Sequence, residues 1–212
     1  MSASGKGTLR VLILAFDGVE ALDFAGPFEV FTTASRMHAR RHPQAPAMFE
    51  VQSVGEAQLV QARAGLKLLA DLDLDRAVQA DLLIVPGGVV DAPLASPATL
   101  AWIAAQARGA RITASVCTGA FLLASSGVLQ GDERVTTHWE DVAELRERFP
   151  GLEVMEDVRW VDNGRTVTSA GISAGIDMSL HLVERLAGRE LALATARQMD
   201  FGWTPNPSAP SA

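Results

Sequence analysis

Ala110-Arg111-Ile112-Thr113-Ala114-Ser115-Val116-Cys117-Thr118-Gly119-Ala120-Phe121-Leu122-Leu123-Ala124 decides the fold of this chain. Residues 110–114 read as a short β-branched strand, and residues 120–124 as the opening of an apolar helix. The only cysteine stands at the join. A nucleophile on such a turn is held clear of the backbone, with the following N–H groups pointing toward it. Bulky neighbours would crowd the elbow, and here they are small. The N–H groups and the helix dipole favour thiolate, so an ionised and reachable Cys117 is expected. The competing reading is a small buried hydrophobe, the usual fate of a free cysteine. The flanking pattern tips the balance toward chemistry.

Working outward, residues 9–16 form a nearly continuous apolar run, as in a strand covered on both faces within a parallel sheet. A helix is expected over 23–35 and a strand over 48–54. Segments 58–62 and 66–69 suit a hairpin. A second buried strand at 81–85 is closed by Pro86-Gly87-Gly88, and a helix follows over 97–108 before the strand into Cys117. Beyond the elbow, residues 134–137 read as a strand, and 139–149 as a helix stopped by Pro150-Gly151. Segments 158–161 and 165–169 form a hairpin around Asp162-Asn163-Gly164. Residues 173–186 carry helical periodicity up to Gly188. Strands alternating with helices, without a repeat or a linker, define one α/β domain over residues 9–203. Loose ends are expected at 1–8 and 204–212.

Composition narrows the function. Of 212 residues, 48% are hydrophobic and 20% charged, enough apolar material for a substantial core. A single cysteine excludes an internal disulfide framework and suits a reducing cytoplasm. No basic-then-apolar leader opens the chain, and no apolar run approaches the roughly 20 residues that cross a bilayer. The formal charge is −7 and the basic cluster at 36–42 is short, so neither nucleic acid nor membrane is an expected partner. No metal-ligand spacing is present.

Other segments can meet the elbow. Ligands of an open parallel sheet sit over the carboxyl ends of its strands, which brings Asp17, Glu20 and Asp23 into range. Asp23 stands between Leu22 and Phe24, which can bury it and adjust its proton affinity. Its simpler role is a helix N-cap. Asp17 reads as a solvated loop residue. At Pro86-Gly87-Gly88 the glycines let the backbone approach a ligand, and a free N–H can serve an oxyanion hole. His138 in Thr136-Thr137-His138-Trp139 is either a neighbour of the sulfur or a cap of the next helix, and His38, His42 and His181 read as surface or packing residues. In Ser169-Ala170-Gly171-Ile172-Ser173-Ala174-Gly175-Ile176-Asp177, Ser173 suits an N-cap and Ile172 an apolar wall.

This ordered set of motifs resembles the ThiJ/PfpI superfamily, whose fold is like that of class I glutamine amidotransferases. The resemblance implies a three-layer α/β/α sandwich, flavodoxin-like, with a mainly parallel sheet and the elbow after a central strand. It spans residues 9 to about 188. Within the superfamily the chain is most similar to isonitrile hydratases and to the amidase-like domains of AraC-type regulators. Carried over by motif, the nucleophile falls on Cys117 and its adjacent hydroxyl on Thr118. The water-handling carboxylate falls on Asp23 and the apolar wall on Ile172. The oxyanion donors fall on the N–H groups of Gly88 and Thr118.

Protease-like and glyoxalase-like branches usually carry glutamate where Asp23 stands. A shorter carboxylate leaves room for water, which suits hydration. The resemblance therefore implies a small-molecule substrate, no cofactor and a homodimer. Aldehyde chemistry on 2-oxoaldehydes and non-enzymatic sensing of a ligand or oxidant are the alternatives. The regulator branch carries a DNA-binding domain after this one, and the chain is expected to end before it.

Overall fold

The apolar run at 9–16 becomes a central strand because its side chains are covered on both faces of a sheet, and Val11, Leu12 and Ile13 are wholly buried. The computed structural model describes residues 7–204. In chain order its elements are β1 (Leu9–Ala15), α1 (Ala21–Arg41), β2 (Phe49–Gly55), β3 (Leu59–Gln61), β4 (Lys67–Leu69), β5 (Leu72–Asp73) and β6 (Leu82–Val85). There follow α2 (Asp91–Leu94), α3 (Pro97–Gly109), β7 (Ile112–Val116), α4 (Gly119–Ser125), β8 (Arg134–Val135) and α5 (Val142–Arg148). The chain continues through β9 (Glu153–Val154), β10 (Trp160–Asp162), β11 (Thr166–Ser169), α6 (Ala174–Ala187) and α7 (Arg189–Gln198).

The main sheet runs β10-β11-β7-β6-β1-β2-β5. Every pairing is parallel except the β10–β11 hairpin. Helices α1, α6 and α7 pack together on one side and α2, α3 and α4 on the other, which makes the three-layer α/β/α sandwich expected from the sequence. The strand order reverses between β1 and β6. Loops leaving the carboxyl ends of strands that flank such a reversal form a crevice. Asp23, Gly87, Cys117 and Ile172 all leave the sheet at this end.

The differences from expectation have local causes. Helix α1 begins at Ala21, so Asp23 lies inside its first turn rather than capping it. It also runs six residues past 35, because Met37, Arg40 and Arg41 still have neighbours: Met37 packs on the core, and the arginines reach Gln198 and Glu190 of α7 and its end. Strand pairing stops at Val135, where the Thr136 N–H turns to the Thr168 hydroxyl at 2.8 Å. The helix expected from 139 opens with a 3₁₀ turn at Trp139–Asp141 before α5. Ser173 occupies the N-cap position of α6, but its backbone is already helical and its side chain caps nothing. Helix α7 follows Gly188 directly, burying Leu191, Ala192, Thr195 and Ala196 on one face. The tail expected from residue 204 is tied at its start, since the Thr204 N–H donates to Asp177 Oδ1 at 2.9 Å. Of the two loose ends expected, residues 1–6 and 205–212 lie outside the described residues.

Two helices approach the sheet so closely that only glycine fits. A Cβ on Gly119 would stand 2.1 Å from the Val85 carbonyl oxygen, and one on Gly175 would meet Val116 Cγ1 at 2.7 Å. Gly119→Ala therefore forces α4 away from β6. We expect a loss of roughly 2 kcal/mol or more in urea unfolding, with a smaller loss for an alanine at Gly131, whose added Cβ meets nothing within 4 Å.

Candidate active site

Cys117 joins β7 to α4 with φ +57°, a left-handed conformation that costs a non-glycine residue of order 1 kcal/mol. Its surroundings hold it there. Its N–H donates to the Ser169 carbonyl at 3.0 Å, and its carbonyl accepts from the Thr137 hydroxyl at 2.9 Å. The elbow is thus real, but the expected thiolate is not. The residue is only 7% exposed. Burial, joined by the negative charge of Asp23, pushes the thiol up to about 12. The Thr118 N–H pulls the other way and is outweighed. A seven-residue helix offers a modest dipole, whereas a sulfur anion shut away from water loses its hydration. At neutral pH Cys117 carries its proton.

Asp23 is wholly buried, and neither carboxyl oxygen has a hydrogen bond of ordinary geometry. It faces the Cys117 thiol and the backbone N–H groups of Gly87 and Ile172, all of which favour its anion. Desolvation outweighs them, Glu20 adds negative charge, and the carboxyl rises from its usual 3.8 to about 6. Two groups that each resist ionisation thus face one another, and they titrate as a pair. One buried carboxylate is present above pH 6, with a thiol proton next to it.

The Thr118 hydroxyl closes the crevice. It donates to the Gly88 carbonyl and accepts from the Gly88 N–H, each at 2.9 Å. This corrects the expectation of a free Gly88 donor: that N–H is occupied by Thr118. Gly87 instead turns toward the site. A Cβ there would stand 2.6 Å from the Thr118 nitrogen and 3.0 Å from Asp23 Oδ2, so a side chain would fill the gap between them. Sequence reasoning grouped Gly87 with its neighbour, and the signal, a glycine pair after a buried strand, does not say which N–H is free. Gly88, at φ +133°, bridges to Val19 in the loop after β1 and fixes the two loops together. Thr137 holds the elbow carbonyl, a role that nothing local to Thr136-Thr137-His138-Trp139 signals.

Ile172 also has positive φ, +49°, and is 40% exposed. Together with His138, Trp139, Val158, Arg159 and Ser173 it lines a cleft of ≈ 410 Å³. His138 is half-buried and turned toward acids, with Nδ1 3.4 Å from Asp141 and 3.7 Å from Glu140. Its ring lies against Gly171, where any Cβ would strike Cδ2. As residue before the 3₁₀ turn it makes no side-chain cap. Arg159 holds the buried Asp177 through its Nε at 2.6 Å. Asp17, at the edge of the crevice, accepts from the Gln61 N–H at 2.8 Å. Among the described residues no group of three or more metal-ligating side chains converges, and no helix is long and apolar enough to cross a membrane.

The site is thus a crevice over the carboxyl ends of parallel strands, with a strained cysteine elbow facing a buried carboxyl group. The model of the DJ-1/PfpI family matches residues 9–185, and the chain belongs to that family. It is 33% identical to the isonitrile hydratase of Pseudomonas putida, over 93% of this chain and 80% of that protein. It is also 37% identical to the HTH-type transcriptional regulator GbdR of Pseudomonas aeruginosa, over 69% of this chain but 39% of the regulator. Among solved structures, a ThiJ/PfpI family protein from Pseudomonas syringae superposes with a TM-score of 0.80 at 24% identity, covering 97% of this chain and 80% of that one. Drosophila melanogaster DJ-1beta superposes at 0.78 with 21% identity, covering 92% of this chain and all of that one.

The raised carboxyl has a consequence for stability. Between about pH 4 and 6 the folded state keeps a proton on Asp23 that the unfolded chain has released, so stability falls as pH rises through this window. Above it, the folded protein carries a buried charge. Asp23→Asn removes that burden. The variant should exceed the parent by about 3 kcal/mol at pH 8, and the two should converge below about pH 4, as read from urea denaturation at each pH.

Proposed function

We propose that this protein is a cysteine-dependent hydratase of isonitriles, releasing N-substituted formamides. The observation that carries the reading is the buried Asp23 carboxylate facing a protonated Cys117. An isonitrile has an electrophilic terminal carbon and no proton of its own. In the first step the Cys117 sulfur bonds to that carbon while Asp23 takes the thiol proton and passes it to the same carbon, giving a thioimidate. A resting thiol suits this step, because the proton that leaves sulfur is the one the carbon needs. Water then adds to the thioimidate carbon, losing one proton to the nitrogen by way of Asp23. The carbon–sulfur bond breaks, sulfur recovers a proton, and the formamide leaves. The atoms sum to isonitrile plus water.

The other residues have supporting parts in this reading. The Thr118 hydroxyl keeps the loop after β6 in place, and the N–H groups of Gly87, Thr118 and Ile172 hold the charged forms of the pair. Ile172 and Trp139, the latter 75% exposed, present apolar surface to the substrate's substituent. His138, engaged with Asp141, shapes the cleft rather than handling the proton.

The test is formamide formation from cyclohexyl isonitrile, followed by proton NMR. Cys117→Ala should abolish turnover, and Asp23→Asn should lower it by about 10²–10⁴-fold. Normal activity in the alanine variant refutes the reading. Lactate from methylglyoxal would instead favour the aldehyde chemistry. Similarity to GbdR supports a second reading, a ligand-binding domain without turnover. Tight isonitrile binding with no formamide would favour it.

We also propose a homodimer. Leu59 and Leu69 are cross-strand partners on the β3–β4 hairpin, 55% and 72% exposed, with Leu66 near the turn. Large apolar side chains exposed in this way suit a covering partner. Sedimentation equilibrium should give twice the chain mass, and Leu69→Glu should shift it toward the single chain.

A further inference from the structure

We propose that Glu20 is a positioning residue for the Asp23–Cys117 pair: set one helical turn before Asp23 and tethered to Arg63 beside the β3–β4 hairpin, it governs how firmly the pair holds its proton. The inference rests on Asp23 being the acceptor of the thiol proton, as in the function proposed above. It does not depend on isonitriles being the substrate.

Glu20 is held beside the site by its backbone and by one ion pair. It occupies the N-cap position of α1, where a side-chain oxygen ordinarily accepts from a free helix N–H, yet its side chain makes no cap bond. Its backbone is fixed on both sides, the N–H donating to the Gly87 carbonyl at 2.8 Å and the carbonyl accepting from the Phe24 N–H at 3.3 Å. The side chain is three-quarters buried, and Arg63 Nη1 stands 3.8 Å from its Oε2. Arg63 in turn is anchored through its N–H to the Val19 carbonyl at 2.8 Å. An arginine mostly in water, at that separation, only partly offsets the glutamate charge.

The groups facing Asp23 come from each neighbouring element. The loop after β6 supplies the Gly87 N–H, the loop after β11 the Ile172 N–H, and the elbow the thiol. All of these favour the carboxylate. Glu20 is the charge that opposes it, while Asp141, paired with His138, acts on the thiol. The step being tuned is transfer of one proton from Cys117 sulfur to an Asp23 oxygen. That transfer requires an ionised carboxylate, so the chemistry switches on where Asp23 loses its own proton.

The test is the rate of Cys117 alkylation by iodoacetamide, followed by intact mass across the acid-to-neutral range. The parent profile should rise with an inflection near the Asp23 value of about 6. Glu20→Gln should lower that inflection by roughly half a unit to one unit, the size expected for a like charge one helical turn away in a half-buried site. Arg63→Met should raise it by a smaller amount, and high salt should shrink the Arg63 effect. An inflection unmoved in both variants overturns the proposal, as does a parent profile with no inflection. A merely structural role for Glu20 would change unfolding without moving the inflection. If the shifts appear but no isonitrile is hydrated, this inference stands and the choice of substrate falls.

Discussion

One carboxyl group and one thiol, both shut away from water and each lacking any better partner, set the terms for the whole carboxyl end of this sheet. Neither ionises readily by itself, since a charge without hydration or a counter-ion is expensive in such a place. Put together, they share a single negative charge between them. The surrounding backbone supplies N–H dipoles and no formal cation, so the charge can move from oxygen to sulfur without breaking an ion pair. That mobility distinguishes a reactive pair from a salt bridge.

Keeping the pair together takes more structure than the pair itself. The loops after β1 and β6 are joined by the Val19–Gly88 bridge and by the Glu20 N–H on the Gly87 carbonyl. The loop after β6 is joined to the elbow by the two Thr118–Gly88 bonds. The elbow is joined to the loop after β11 and to the segment before α5 by Ser169 and Thr137. Every contributing loop is therefore linked to another through backbone groups or threonine hydroxyls, and a shift in one is passed to the rest. Strain at Cys117 is tolerated because its N–H and its carbonyl are both held by neighbouring segments.

Much of this was legible beforehand. The buried runs at 9–16 and 81–85, the elbow, and the Asp162-Asn163-Gly164 hairpin carried their own local signals, and the parallel sheet followed from the alternation of elements. Asp23 was readable as a site residue because a carboxylate just past a buried strand has a restricted set of destinations. The protonation of Cys117 was not readable. Local cues near the elbow favour the anion, and what defeats them is burial by segments far away in the chain. The donor assigned to Gly88 failed for a related reason: which N–H of a glycine pair is free depends on a hydroxyl thirty residues onward. Helix α7 carries a weaker local signal because its segment is polar on average, and its buried face is built largely of small residues beside Leu191.

The buried Asp177 carboxylate ties the end of the described chain back to the body of the fold. It grips Arg159 with one oxygen and the backbone of Thr204 with the other. One buried acid thus joins a residue that lines the cleft, Arg159, to the backbone that follows α7. Cutting the chain before Thr204 would strand one carboxylate oxygen in the interior without its donor, at a cost felt by the cleft wall.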